Sequence, residues 1–207
     1  MKWLRLRLAL STPLDSSKLR CKSNRMTSSG IPALLSALEF AARKHSGQRR
    51  KDPEATPYIN HPIIVTELLT RIAGVEDLAT LQAALLHDTV EDTKTTAQEL
   101  DSLFGQEVRS LVMEVTDNKS LPNAERKRLQ IVHAPHLSPR AKLIKLADKT
   151  ANITDITATA PAPWSVQRKR EYLDWAEQVV NQLRGTNAAL ETLFDKTLAE
   201  KRALVAS

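Results

Sequence analysis

The residues best suited to chemistry stand together in AALLHDTVED, residues 83–92. An apolar run from Ala83 to Leu86 leads into His87, Asp88, Glu91 and Asp92. Three carboxylates within five residues repel one another, and the negative end of a helix dipole adds to the repulsion. Desolvation beside Leu85 and Leu86 raises the cost further. A divalent cation would offset all three terms, with His87 and Asp88 as neighbouring donors. Glu91 and Asp92 follow one helical turn later, in line with His87 and Asp88. The alternative is a helix end with solvated acids and a histidine favoured at a C-terminus.

Two further segments carry candidate groups. In RAKLIKLADKTANITDI, residues 140–156, Leu143, Ile144, Leu146, Ala147, Ala151, Ile153 and Ile156 make most of a helix circumference apolar. A polar stripe of Lys145, Asp148, Asn152 and Asp155 crosses it at three- and four-residue steps. A helix apolar on most sides is buried, and a buried aspartate needs a partner. A metal is one answer for Asp148, with Asn152 one turn along; an ion pair with Lys145 or Lys149 is the other. In RRKDPEATPYINHP, residues 49–62, His61 immediately precedes Pro62, where a helix start fixes the backbone. Arg49, Arg50 and Lys51 form a basic cluster suited to phosphate, or a solvated triplet, and His61 could simply cap the helix. His45, His133 and His136 lack nearby acids and are read as surface residues.

The elements that must position these groups are helices. From Ile31 the spacing of Leu34, Leu35, Leu38, Ala41 and Ala42 predicts a helix ending near Gly47. A loop with two prolines follows. Pro62 suits the first residue of PIIVTELLTRIA, which Gly74 stops. Asp77 caps a continuous helix through Asp92, and Thr96 with Glu99 forms a capping box for one ending near Gly105. Helical patterns then cover 106–116, 123–133, 139–156, 164–184 and 187–204. No alternating pattern competes, so the expectation is an all-α domain.

Composition narrows the classes. With 207 residues and 42% apolar side chains, the chain can bury a proper core. A single cysteine, Cys21, excludes an internal disulfide and any multi-cysteine zinc site. No apolar run is long enough to span a membrane as a helix. The net charge of +6 suggests nucleic acid until it is located: residues 1–30 hold seven of the 30 basic residues and one of the 24 acids. The remainder is formally neutral, so a nucleic-acid partner is not expected. Residues 1–30 read as a basic leader, either a disordered tail, a mitochondrial presequence, or a stretch upstream of a start at Met26. The expected location is cytoplasmic, or mitochondrial if the leader acts as a presequence. The sequence carries no sign of oligomeric state.

Taken in order, YINHP, ALLHDTVEDT and KLADKTANI resemble the HD-domain metal phosphohydrolases, and within them the hydrolase domain of the RelA/SpoT proteins, nearest the stand-alone metazoan SpoT homologues. The likeness covers about residues 33–205. It implies an HD-domain helical bundle of about eight to ten helices over residues 31–207. It implies hydrolysis of guanosine 3′,5′-bis(diphosphate) at the 3′ position, releasing pyrophosphate, with one Mn²⁺. Zn²⁺ could bind the same donors. Carried over by motif, His61, His87, Asp88 and Asp148 are metal ligands, and Glu91 and Asp92 orient or deprotonate the attacking water. Arg50, Lys51, Tyr58, Asn152, Arg168 and Tyr172 contact the nucleotide. The chain departs from the family pattern at Thr150–Ala151, Thr154 and Asn123, positions that bear on substrate more than on metal. Two other readings stand beside this one: an NADPH 2′-phosphatase or broader nucleotidase, and a non-catalytic nucleotide-binding protein.

Overall fold

The computed structural model describes residues 30–52, 54–156 and 164–206. The leader expected at 1–30 lies outside the described residues, Gly30 apart. Among the described residues there are eight helices of at least nine residues, one four-residue helical turn and a 3₁₀ turn at Ala134–His136, with no strand. They are α1 (Gly30–Lys44), α2 (Asn60–Arg71), α3 (Leu78–Leu86), the turn α4 (Thr89–Asp92), α5 (Ala97–Val115), α6 (Asn123–His133), α7 (Pro139–Thr154), α8 (Val166–Asn181) and α9 (Ala188–Ala206). The all-α expectation holds. No helix of the described residues is long and apolar enough to cross a membrane.

Two helices form the centre. Every residue of α3 from Thr80 to Leu86 is buried, and α3 packs against α1, α2, α5 and α7. In α7, the run from Ile144 to Ala151 is buried, and this helix touches α2, α3, α5, α8 and α9. Burying a side chain such as Leu81 or Leu86 stabilises the fold by roughly 1.5–3 kcal/mol. A stripe of polar groups that survives in such surroundings must be partnered, and that is the constraint that builds the site.

Local signals set most of the helix ends. Asp77 accepts from the Thr80 amide at 2.9 Å and caps α3. Thr96 accepts from the Glu99 amide at 3.1 Å and caps α5, but the Glu99 side chain does not complete a capping box; it pairs with Lys44 at 2.8 Å. Gly105, at φ +85°, breaks the helical geometry within Ala97–Val115, so the expected boundary there is a kink. Gly74, at φ +68°, ends α2, with the Val75 amide returning to the Leu69 carbonyl at 2.9 Å.

Four expectations need correction. The first helix stops at Lys44, and it buries Ala37, Phe40 and Ala41 while Leu35 faces solvent. The next begins at Asn60, two residues before Pro62, because the Asn60 and His61 amides bond to the Pro57 and Tyr58 carbonyls. Pro62 is tolerated in the first turn, where its missing N–H would have had no helical partner. The helix predicted to run from Asp77 to Asp92 breaks at His87 and Asp88. There the His87 ring and the Thr89 hydroxyl take the Ala84 and Leu86 carbonyls, at 2.8 and 2.7 Å. Finally, His45 is 2% exposed and not a surface residue, whereas His133 and His136 are exposed as expected.

Candidate metal centre and active site

Three elements deliver the groups. His61 comes from the first turn of α2, His87 and Asp88 from the α3–α4 break, and Asp148 from the middle of α7. His61, His87 and Asp88 each offer a donor atom, all within 4.8 Å of one another. Asp148 joins them: its Oδ1 lies 3.1 Å from His61 Nε2 and 3.8 Å from His87 Nε2. Asp88 Oδ2 lies 3.1 Å from His87 Nε2 and 3.7 Å from His61 Nε2. The imidazoles are 2% and 5% exposed as side chains. The break at residues 87–88 is what lets both side chains turn into the same space.

The electrostatics call for a cation. Burial opposes ionisation of Asp88 and Asp148, yet both carboxyls are held well below the ordinary range by the surrounding imidazoles and, for Asp148, by Lys149 at 3.1 Å. Burial alone would lower His87, but Asp88 and Asp148 push it up to about 10. Burial, with Arg50 nearby, lowers His61, although its contact with Asp148 works the other way. His87 Nε2 is buried without a well-directed hydrogen bond, a donor atom aimed into the cluster. The two imidazoles and the Asp88 carboxylate fit a small divalent ion, whose neighbouring ligands stand about 3 Å apart, and Asp148 lies against the same imidazoles. Of the two answers for Asp148, the ion pair is seen, with Lys149 through Oδ2, while Oδ1 faces the imidazoles.

The cluster lies in a cavity of about 160 Å³ whose wall also includes Glu91, Asp92, Asp117, Lys119 and Lys145. Glu91 Oε2 accepts from the Asp117 amide at 3.0 Å, and its Oε1 lies 3.5 Å from Lys119 and 3.7 Å from Arg126. Burial raises its pKa, and the charges of Asp117 and Asp88 add to this. Asp92 accepts a short hydrogen bond from Lys119. The acids thus have cationic partners, from the segment after α5 and from α6, while Lys94 is exposed. Lys145 is buried, its pKa lowered by burial, and it donates to the Val115 carbonyl at 3.0 Å.

The expected substrate residues divide. Asn152 donates to Asp148 Oδ1 at 2.6 Å and accepts from Arg50 at 3.3 Å, and Arg50 also pairs with Asp155 at 2.5 Å. Tyr58 donates to Asp88 Oδ2 at 2.6 Å and lies beneath the Arg50 guanidinium. Lys51 is exposed on the same loop. Arg168 lies over Trp164, 4.5 Å from the ring centroid, and Tyr172 stands between Trp164 and Trp175; neither forms part of the cavity wall. Thr150 and Ala151 are buried, and Thr150 bonds back to the Leu146 carbonyl, so these departures from the family pattern also lie outside the wall. Asn123 is exposed at the start of α6. The sequence reading missed Lys119, Asp117 and Gln130; they sit in a loop and on a polar helix with no periodic signal to mark them.

The fold and the buried His–Asp cluster define a metal-dependent hydrolase of the HD class. A family model described as HD domain matches residues 37–176, and the chain belongs to that family. The chain is 59% identical, over 171 residues, to the guanosine-3′,5′-bis(diphosphate) 3′-pyrophosphohydrolase MESH1 of Homo sapiens, covering 83% of this chain and 95% of that protein. The Xenopus tropicalis protein of the same name is 58% identical over 168 residues, or 81% and 94% of the two chains. A solved structure described as a metazoan orthologue of SpoT that hydrolyses ppGpp and plays a role in starvation responses superposes with a TM-score of 0.80. It is 49% identical, over 83% of this chain and 96% of its own.

Proposed function

We propose that the chain hydrolyses guanosine 3′,5′-bis(diphosphate), the tetra- and pentaphosphate forms alike, at the 3′-diphosphate, giving GDP or GTP and pyrophosphate. The observation that carries this reading is the convergence of His61, His87, Asp88 and Asp148, with Glu91 and Asp92 on the same cavity wall. High identity to proteins named for that activity supports the substrate. The four donors would hold one Mn²⁺, with Zn²⁺ able to use the same set. Such an ion supplies Lewis acidity and lowers the pKa of water.

The chain's own groups divide the remaining work. Glu91, whose pKa burial raises, takes the proton of the attacking water. Asp92, tethered to Lys119, orients that water onto the phosphorus attached to the ribose 3′-oxygen. The P–O3′ bond breaks, the 3′-oxygen leaves as part of GDP or GTP and takes up a proton, and Lys119 can meet the charge developing on the phosphoryl oxygens of the departing pyrophosphate product. The cavity of about 160 Å³, lined by charged and polar groups, would take the scissile diphosphate. The nucleoside and the 5′-diphosphate lie along the rim, where Arg50, Lys51 and Asn152 stand, with Arg168 and Tyr172 further out. The protein works in the cytoplasm, or in mitochondria if residues 1–30 act as a presequence; a reporter fused to that segment distinguishes the two.

The test is a substrate panel with Mn²⁺ containing guanosine tetraphosphate, NADPH and nucleoside monophosphates, reported as kcat/KM. The guanosine substrate should lead and release pyrophosphate. A higher kcat/KM for NADPH reassigns the site to 2′-phosphate removal, and no turnover of any member favours a binding protein.

A further inference from the structure

Beneath the loop of residues 48–58 lies a histidine that the hydrolytic mechanism does not use. His45 follows α1, 2% exposed, and its ring lies 4.9 Å from that of Tyr58 at an interplanar angle of 33°. Its Nδ1 is 2.6 Å from Gln48 Oε1, and Gln48 Nε2 donates to the Asp92 carbonyl at 2.6 Å. A carbonyl only accepts, so the Gln48 amide must turn its nitrogen toward Asp92 and its oxygen toward His45. His45 Nδ1 therefore carries a proton and donates it to Gln48. The opposite nitrogen, Nε2, is buried with no partner. An apolar ring would fill the same space without that orphaned acceptor, so the position calls for the Nδ1–H donor.

We infer that His45 is a positioning residue for the hydrolytic site, acting on both halves of the His87–Asp92 segment. Through Gln48 it fixes the peptide that carries Asp92, satisfying a carbonyl that the end of α4 leaves free. Through its ring it backs Tyr58, whose hydroxyl sets the rotation of the Asp88 carboxylate. A shift of about 1 Å at reacting groups costs on the order of 10²-fold in rate, so the Asp92 arm should appear in kcat. The Tyr58 arm should appear in metal affinity. The inference rests on the hydrolytic reading above, and its test separates the two.

His45→Phe keeps the ring and removes the donor; His45→Asn keeps a donor near Nδ1 and removes the ring; Gln48→Leu removes the next link. In His45→Phe we expect kcat to fall about tenfold or more. KM and Mn²⁺ affinity, the latter from the free-ion resonance signal, should stay within about twofold. His45→Asn should recover most of kcat but weaken Mn²⁺ binding. The double variant His45→Phe/Gln48→Leu should lose no more kcat than either single variant, since one chain of bonds is cut in each. Amide hydrogen exchange over residues 88–93 should speed up in His45→Phe and Gln48→Leu alike. Multiplying losses in the double variant, or unchanged turnover and exchange in His45→Phe, would overturn the inference while wild-type activity keeps the hydrolytic reading intact. Faster exchange in a wild-type protein that turns over no substrate would instead leave the positioning role standing and remove the function. Should His45→Phe not fold, Gln48→Leu decides alone, on the same exchange and turnover criteria.

Discussion

The floor of the cavity and its rim are built by opposite means. On the floor, His61, His87, Asp148 and Lys149 are nearly inaccessible, and each is held by another charged or polar group. At the rim, Arg50, Lys119 and Asp155 are partly exposed, and their pairings bridge a loop to a helix. Burial leaves the floor little freedom: an unpartnered charge there is so costly that the groups either gather around a cation or the domain is destabilised. The Lys119 pair is exposed enough to be worth at most about 1 kcal/mol, so this part of the rim can exchange partners when phosphates arrive. Rigid floor and exchangeable rim suit a site that must hold one ion tightly and release a product.

The largest expected effect falls on the floor. His87→Ala should remove the bound metal and cut activity by more than about 10³-fold together, as chelation should in the wild type, with Mn²⁺ restoring only the latter. Elemental analysis showing full metal occupancy in His87→Ala would erase the distinction between floor and rim. Next comes the rim: Arg50→Ala should raise KM about tenfold, since a charge-assisted contact is worth about 1.5–3 kcal/mol, and should leave kcat within about threefold. A fall in kcat with constant KM would move Arg50 into the chemistry.

The smallest effect lies away from both. Asp77 caps α3, and its hydrogen bonds to Thr80, together with Arg140, hold its pKa below the ordinary value although slight burial works the other way. Asp77→Ala should cost about 1 kcal/mol, lowering Tm by about 2–4 °C with kcat unchanged. Because the folded pKa is depressed, the cap's contribution is full above the unfolded pKa near 4 and is lost as pH falls through the folded value. Equal Tm values for wild type and Asp77→Ala at neutral pH would show the cap to be idle.

Legibility in the sequence follows the same division. Helix starts with side-chain caps, at Asp77 and Thr96, and the stop at Gly74 depend on neighbours within a few residues, so they could be read directly. The polar stripe of α7 could be read as well, because burial made each of its members anomalous. The break at His87–Asp88 could not: periodicity runs through it, and the bonds that open it come from side chains turning back on the helix end. Nor could the meeting of His61 with Asp148, which are 87 residues apart; only the ordered motifs and their resemblance to a family brought them together. His45 was misread because its cover, Tyr58, belongs to a loop that folds back through the Arg49–Pro57 bridge. The pairing of Lys119 with Asp92 was hidden for a similar reason: the chain returns after α5, and spacing along one helix carries no trace of that.

If the floor holds the ion, Glu91 and Asp92 are left to do the chemistry. Glu91→Gln/Asp92→Asn, which keeps size and hydrogen bonding but removes both charges, tests it most directly when metal content and turnover are measured on one preparation. Mn²⁺ content should match wild type, since His61, His87, Asp88 and Asp148 are untouched, and kcat should fall by about 10²–10⁴-fold, the usual worth of general-base help. Turnover near wild type with metal retained would contradict the catalytic assignment, and loss of the metal would make the two acids ligands.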